Sequence, residues 1–283
     1  MQKIKILHRT YYNFSHPVEL GTHYLRLRPR EGHKLRIESS TLSLSPDPTI
    51  SWQSDVEDNS IAKAGFQDPA TQLAIESEIV VQQYNENPFD FLMENYAVQF
   101  PFAYQEEDWK IVAPYACSNS GNTTSSVASW ALSVWDGKEM IQTISLLLRV
   151  ADRIRNDIQY GIREDPGVQH PAETLSCGSG SCRDFAALFM EVVRGFGLAA
   201  RFVSGYLVSE PSSLNYGATH AWAEVYLPGA GWKGFDPTLG LITGTDHIPV
   251  AVSRLPDTVP PVAGSFIGNA SSTMDVGVWV TAF

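Results

Sequence analysis

Alternation of apolar and polar positions dominates the first hundred residues. His8-Arg9-Thr10-Tyr11-Tyr12-Asn13-Phe14, Tyr24-Leu25-Arg26-Leu27-Arg28, Leu35-Arg36-Ile37, Thr41-Leu42-Ser43-Leu44 and Leu73 to Val81 all repeat every second residue. That spacing sends neighbouring side chains to opposite faces of a strand. Pro17, Pro29, Gly32, Pro46, Pro48 and Asp58-Asn59 fall between these runs and supply turns. The pattern predicts an antiparallel β-sandwich over residues 1–125. The Ser/Asn/Thr/Gly-rich stretch from Cys117 to Ser129 solvates well and packs poorly, and it marks the passage to a second unit.

The period then lengthens. Asp136 can cap a helix with Glu139 reaching back, and Met140, Ile144, Leu147, Ala151, Ile154 and Ile158 follow at three- and four-residue spacing. A second helix is predicted from about Ser181 to Phe196, with Phe185, Phe189, Val192 and Phe196 on one stripe and Gly197 closing it. Strands return at Ala200 to Val208, Ala218 to Leu227 and Trp232 to Asp236. Helices followed by strands give an α+β unit over residues 126–250, with helices packed on an antiparallel sheet. Residues 251–283 form a C-terminal extension whose alternation, Met274, Val276, Val278 and Val280, predicts a final strand.

Composition adds exclusions. The 283 residues, 43% hydrophobic and 18% charged, describe an ordinary globular chain long enough for two units. The net charge of -11 repels nucleic-acid phosphates and anionic lipid, so neither nucleic acid nor a membrane is expected as a partner. Basic residues gather in the first 40 positions, with Arg26, Arg28 and Arg30 read as a solvated strand face rather than a docking surface. No apolar core of signal-peptide length opens the chain and no 18-residue apolar run follows, which points to the cytoplasm. Cys117, Cys177 and Cys182 are too few and too uneven for a disulfide framework. Oligomeric state is not legible.

The chemistry gathers around Cys182. A thiol attacks as its thiolate, and the amino end of a helix supplies partial positive charge for it. Gly178 and Gly180 let backbone approach a substrate, and the Cys182 amide is a candidate oxyanion donor. Arg183 adds positive charge if its side chain turns inward. His220 shares a strand face with Trp222, Glu224 and Tyr226, opposite the core-like Ala221, Ala223, Val225 and Leu227. From that face an imidazole can take the thiol proton and return it to a leaving amine. Asp236, fixed before Pro237, can orient the imidazole. Each residue alone has an ordinary structural reading: a buried thiol, a hydrogen-bonded histidine, a turn aspartate. Their conjunction carries the assignment of Cys182, His220 and Asp236 as catalytic residues.

Trp222 and Tyr206 are read either as substrate-binding walls of the cleft or as core. Glu224 is read as hydrogen-bonded or solvated before it is read as a sensor of a substrate amine. His247 is either close to the site or a loop histidine, and Cys177 is read as idle. His170, Cys177, Cys182 and His220 match no paired metal spacing, so no metal or other cofactor is expected.

Cys182-Arg183-Asp184 opening a helix, Gly197-Leu198-Ala199-Ala200-Arg201-Phe202-Val203-Ser204-Gly205-Tyr206, Thr219-His220-Ala221-Trp222-Ala223-Glu224-Val225 and Gly231-Trp232-Lys233-Gly234-Phe235-Asp236-Pro237 resemble the bacterial transglutaminase-like superfamily. Asp246 to Ala251, Pro260 to Gly264 and Tyr24 to Arg30 resemble the flanking segments of members that carry a β-rich amino-terminal domain. The resemblance implies a papain-like α+β core with Cys182 as nucleophile, His220 as general base and acid, and Asp236 as orienting carboxylate. Ser253-Arg254-Leu255-Pro256 departs from the family's Gly-Arg-Asp-Tyr-like run, so no binding role is carried to Arg254 or Asp257. The expected activity is cleavage of a peptide or protein amide through a thioester, by a peptidase, isopeptidase or amidase. Transamidation by the same acyl-enzyme is the alternative, and a non-enzymatic interaction module is the rival from another class.

Overall fold

A computed structural model describes residues 1–84, 87–117, 125–163, 165–208 and 219–283. The amino-terminal unit is built from β1 (Gln2–Leu20), β2 (His23–Leu25), β3 (Leu35–Ser45), β4 (Thr49–Ser54), β5 (Ser60–Gly65) and β6 (Ala70–Gln83). Next come β7 (Gln99–Phe100), α1 (Glu106–Ala116), α2 (Ser125–Val134), β8 (Ile141–Gln142), α3 (Thr143–Asp157), β9 (Gln159–Tyr160), α4 (Pro171–Cys177), β10 (Ser179–Gly180) and α5 (Cys182–Gly195). The core strands are β11 (Ala200–Leu207), β12 (Thr219–Leu227), β13 (Gly231–Asp236), β14 (Leu241–Ile242) and β15 (His247–Ser253). The chain ends with β16 (Val262–Ala263), β17 (Phe266–Ile267) and β18 (Ser272–Ala282).

Two antiparallel sheets face each other in the β-rich unit. One has the order β17-β1-β6-β3 with β18 added to the first half of β1, and the other has the order β16-β2-β5-β4. The period-two runs place Phe14, Val18, Leu20, Leu44, Leu73 and Ile75 of the first sheet against Leu25, Ala62 and Ala64 of the second. β1 is long enough to serve a second contact as well. Its Ile4 and Ile6 join Ile79, Val81, Val278 and Val280 in a cluster with Tyr206, Ile248 and Val250 of the other unit.

That other unit is α+β: α5 lies on the antiparallel sheet β14-β13-β12-β11-β15, flanked by α2, α3 and α4. Phe185, Phe189 and Val192 of α5 meet Ala221, Ala223 and Val225 of β12. Burying side chains of this size contributes about 1.5–3 kcal/mol each. The predicted second helix therefore forms nearly to its expected ends.

Several expectations need correction. The first predicted helix starts at Thr143, not at Asp136, because Asp136 accepts from the backbone N–H and the ammonium of Lys138 in a turn. Ile141 then pairs with Phe100 across β7 and β8, and Met140 is exposed. The strand predicted through Tyr24 to Arg28 ends at Leu25. Beyond it Arg30 leaves the sheet pattern: its guanidinium donates to the Glu57 carbonyl and Asn59 Oδ1, and its amide to the Pro249 carbonyl. The expected interdomain stretch falls largely on residues 118–124, which lie outside the described residues, as does Ala218. Among the described residues, no helix is long and apolar enough to cross a membrane.

Candidate active site

Cys182 is delivered by a sharp path between two helices. α4 ends at Gly178, whose φ of 63° lies in the left-handed region that glycine adopts without a Cβ clash. Ser179 and Gly180 then pair in parallel with Gln159 and Tyr160. Ser181 caps α5, and the Asp184 carboxylate reaches back to accept from the Ser181 amide at 2.8 Å and the Ser181 hydroxyl at 2.7 Å. Asp184 also accepts from the Gln169 amide at 2.7 Å and Arg163 Nε at 2.9 Å. Burial alone would raise its pKa, but the two amides, the Ser181 hydroxyl and the Arg163 guanidinium hold it below the ordinary carboxylate range. Asp184 thus fixes the turn that presents the thiol. Sequence reading overlooked Asp184, although its position three residues after Ser181 is the capping-box signal.

His220 and Asp236 come from neighbouring strands. The ends of β12 and β13 bring His220 Nε2 within 2.7 Å of Asp236 Oδ2, with Asp236 fully buried. The Cys182 thiol stands near enough to the ring to act on its pKa. Burial alone would lower the His220 pKa, yet the Asp236 bond, the Cys182 thiol and the negative charge of both push it up to about 10. Burial likewise opposes ionisation of Asp236, but its two histidine partners drive its pKa well below the usual range.

The second of those partners is His247, at the start of β15. Its Nε2 lies 3.0 Å from the same Asp236 oxygen, while its Nδ1 accepts from the Gly244 amide at 3.3 Å. The acceptor role of Nδ1 leaves the hydrogen on Nε2, so His247 donates to Asp236. Asp236 Oδ1 takes the Thr238 and Leu239 amides at 2.8 and 3.2 Å. The carboxylate is thereby held on both oxygens. His220, Asp236 and His247 place ligand-type atoms within 4.8 Å of one another, a spacing a cation could bridge. As arranged, the carboxylate oxygen is already shared by two ring nitrogens.

Cys182 and His220 line a cleft of about 740 Å³. Its walls carry Tyr160, Ile162, Phe202, Val259 and Pro260, together with Arg183. Arg183 turns inward, donating to the carbonyls of Arg163 and Asp165. Tyr206 and Trp222 are not walls of this cleft. Tyr206 is 1% exposed and its hydroxyl meets His8 Nδ1 at 3.0 Å, while Trp222 packs with Val203 and Val252. Tyr206 packs against Ile4, Ile6 and Val280 of the β-rich unit, and of the two readings both residues take the interior one. Glu224, on the strand face of Trp222, pairs with Arg201 at 2.8 Å. Cys117, Cys177 and Cys182 are all free thiols.

A buried His-Asp pair beside a thiol at a helix start, on an α+β core carrying a β-sandwich, defines a transglutaminase-like architecture. Residues 130–237 match the transglutaminase-like superfamily, and residues 4–82 match the bacterial transglutaminase-like N-terminal region. The chain belongs to the transglutaminase-like superfamily. An uncharacterized protein of Mycobacterium tuberculosis is 28% identical over 99% of this chain and 93% of its own length. An uncharacterized protein of Mycobacterium leprae is 23% identical over 99% of both chains. The crystal structure of a candidate cysteine protease from Cytophaga hutchinsonii shares the fold, with a TM-score of 0.73 and 21% identity over 99% of this chain and 90% of that one.

Proposed function

We propose that the protein is a cysteine hydrolase that cleaves a peptide or protein amide through a thioester. The observation that carries this reading is the 2.7 Å bond of His220 to the buried Asp236, with His220 and the Cys182 thiol lining the same cleft at the start of α5. With its pKa raised to about 10, the His220 ring is an imidazolium near neutral pH and stands beside Cys182 as the counter-charge of a thiolate. The thiolate attacks the amide carbonyl carbon, and the carbonyl π electrons move to oxygen. The amide of Cys182, in the first turn of α5, has no intrahelical acceptor and is free to stabilise that oxyanion. Collapse breaks the C–N bond, His220 gives its proton to the departing amine, and a thioester remains. Neutral His220 then takes a proton from water, hydroxide displaces sulfur, and the acid product leaves with the site restored.

Asp236 stays ionised throughout, holding the ring and stabilising its positive charge. The apolar cleft walls favour an acyl group flanked by apolar side chains. The experiment is a peptide library incubated with wild-type and Cys182→Ser protein, with and without excess primary amine, and read by mass. Hydrolysis products that vanish with Cys182→Ser support the reading. Amine-adducted products in preference to acids would replace it with transamidation, and no turnover of any amide would sink it.

A further inference from the structure

A second cavity, of about 370 Å³, lies between the β-rich unit and the sheet of the core. His247 lines it, whereas Cys182 and His220 line the other cleft. Two lysines, Lys34 from the β-rich unit and Lys233 from β13, contribute to its wall. Lys233 is 8% exposed, and its ammonium rests over the Phe91 ring at 4.4 Å. Among the described residues no carboxylate lies within ion-pair distance of either lysine, and Lys34 is close enough to act on the Lys233 charge. Burial first, and then Lys34, lowers the Lys233 pKa to about 8.

Two neighbouring ammonium groups, one of them buried, repel each other and lose hydration. Glu224 and Asp90 offset this charge only in part. Glu224 is engaged by Arg201 at 2.8 Å, and Glu31 by Arg28 at 3.7 Å. Arg30 adds a third cation, whose guanidinium donates to two neutral oxygens, the Glu57 carbonyl and Asn59 Oδ1. The positive charge left in excess at the cavity is relieved by a multiply charged anion. The space exceeds what a bare oxyanion fills, and Trp232 gives it apolar surface.

We propose that this interdomain cavity binds a phosphomonoester, with the phosphate held by Lys34 and Lys233 and an apolar body lying against the tryptophan side. The site is independent of the reaction at Cys182. Charge-assisted contacts of this kind make each lysine worth about tenfold or more in affinity.

Calorimetric titration of the full chain with phenyl phosphate and with inorganic phosphate, at matched ionic strength in a phosphate-free buffer, tests it. The expected result is one saturable site, with phenyl phosphate bound at least tenfold more tightly, about, than inorganic phosphate. Lys233→Met and Lys34→Met should each weaken phenyl phosphate by about tenfold, while Lys63→Met, on the exposed face of β5, leaves it unchanged. Should Lys233→Met fail to fold, Lys34→Met decides alone. Absence of saturable heat, equal affinity for the two probes, or unchanged affinity in the cavity variants would overturn the proposal. Binding lost in Cys182→Ser would place the ligand in the other cleft and overturn it equally.

Discussion

Replacing Asp236 by Asn is expected to discharge His220. In the wild-type protein the ring titrates near 10, because the Asp236 hydrogen bond and charge, with help from Cys182, overcome a burial effect that works the other way. Asparagine keeps an oxygen for the Thr238 and Leu239 amides but removes the charge, and its amide group confronts ring nitrogens that now donate to a carboxylate. Burial then prevails and the ring returns toward or below 6.5. That difference corresponds to about 5 kcal/mol in the free energy of protonating the ring. Histidine labelled with nitrogen-15 reports the outcome directly: the His220 ring should remain an imidazolium through about pH 9 in wild type and become neutral at least about two pH units earlier in the variant. Alkylation of Cys182 by iodoacetamide at pH 6, measured against Cys117 in the same molecule, should fall by about a hundredfold. A neutral His220 ring in the wild-type protein at pH 8, or an unchanged titration in Asp236→Asn, would refute the reasoning. Linkage gives the stability signature. The raised His220 pKa contributes stability that is full below about 6.5 and lost as pH rises through about 10. The depressed Asp236 pKa contributes stability above about 3.8 that is lost on further acidification.

His8 has the opposite histidine behaviour: burial lowers its pKa to about 4, so the unfolded chain binds the proton first and stability declines as pH falls from about 6.5 toward 4. About 3 kcal/mol is at stake, and urea melts at pH 7.5 and 4.5 should show a smaller loss in His8→Gln than in wild type. Gly205→Ala would drive a Cβ into the Ile248 carbonyl oxygen and to 2.6 Å from the Trp222 ring; a loss of about 1–3 kcal/mol or failure to fold is expected in thermal melts. Asp184→Asn leaves Arg163 without its buried partner and weakens the Ser181 turn, for an expected loss of about 3 kcal/mol in denaturant titration. His247→Phe removes one of two histidine donors to Asp236, and the His220 ring titration should shift with the fold retained, as read by the same labelled-histidine spectra.

Local signals carried most of what sequence could reveal. The stripe of Phe185, Phe189 and Val192 and the stop at Gly197 placed α5 to within a residue or two, because a buried helix face leaves a periodic trace. The order thiol, imidazole, carboxylate was equally legible, since each residue stands at an element end that its neighbours mark. The false start at Asp136 shows the limit of such signals. A carboxylate three residues before a glutamate has two uses, and Lys138 with Gly137 at φ 77° took the turn instead. Short pairings such as Gln99–Phe100 with Ile141–Gln142 join residues about forty positions apart and leave no period to read. His247 was visible only as a residue in a family-like segment. Its bond to Asp236 depends on a sheet whose strands β13 and β15 are not adjacent. For Tyr206 and Trp222 the sequence left wall and core both open, because nothing in a strand itself tells that another domain packs on it, as the β-rich unit does on Tyr206.

Packing on β15 ties the β-rich unit to the candidate orienting carboxylate, Asp236. Gln83, the last residue of β6, donates to the His247 carbonyl at 3.1 Å, and the His247 ring donates to Asp236. Asn59 accepts from the Val252 amide and donates to its carbonyl, holding the same strand at its far end. Between these anchors Ile4, Ile6, Val278 and Val280 press on Ile248 and Val250. β15 is therefore fixed by partners from the other unit at both ends and along one face. Its first residue contacts the carboxylate that orients His220. Removing the β-rich unit would expose Tyr206, Ile248 and Val250 together and release the His247 backbone from Gln83 in the same step. The sandwich is part of the support of the site, which explains why the amino-terminal strand is built long enough to fill two separate hydrophobic clusters.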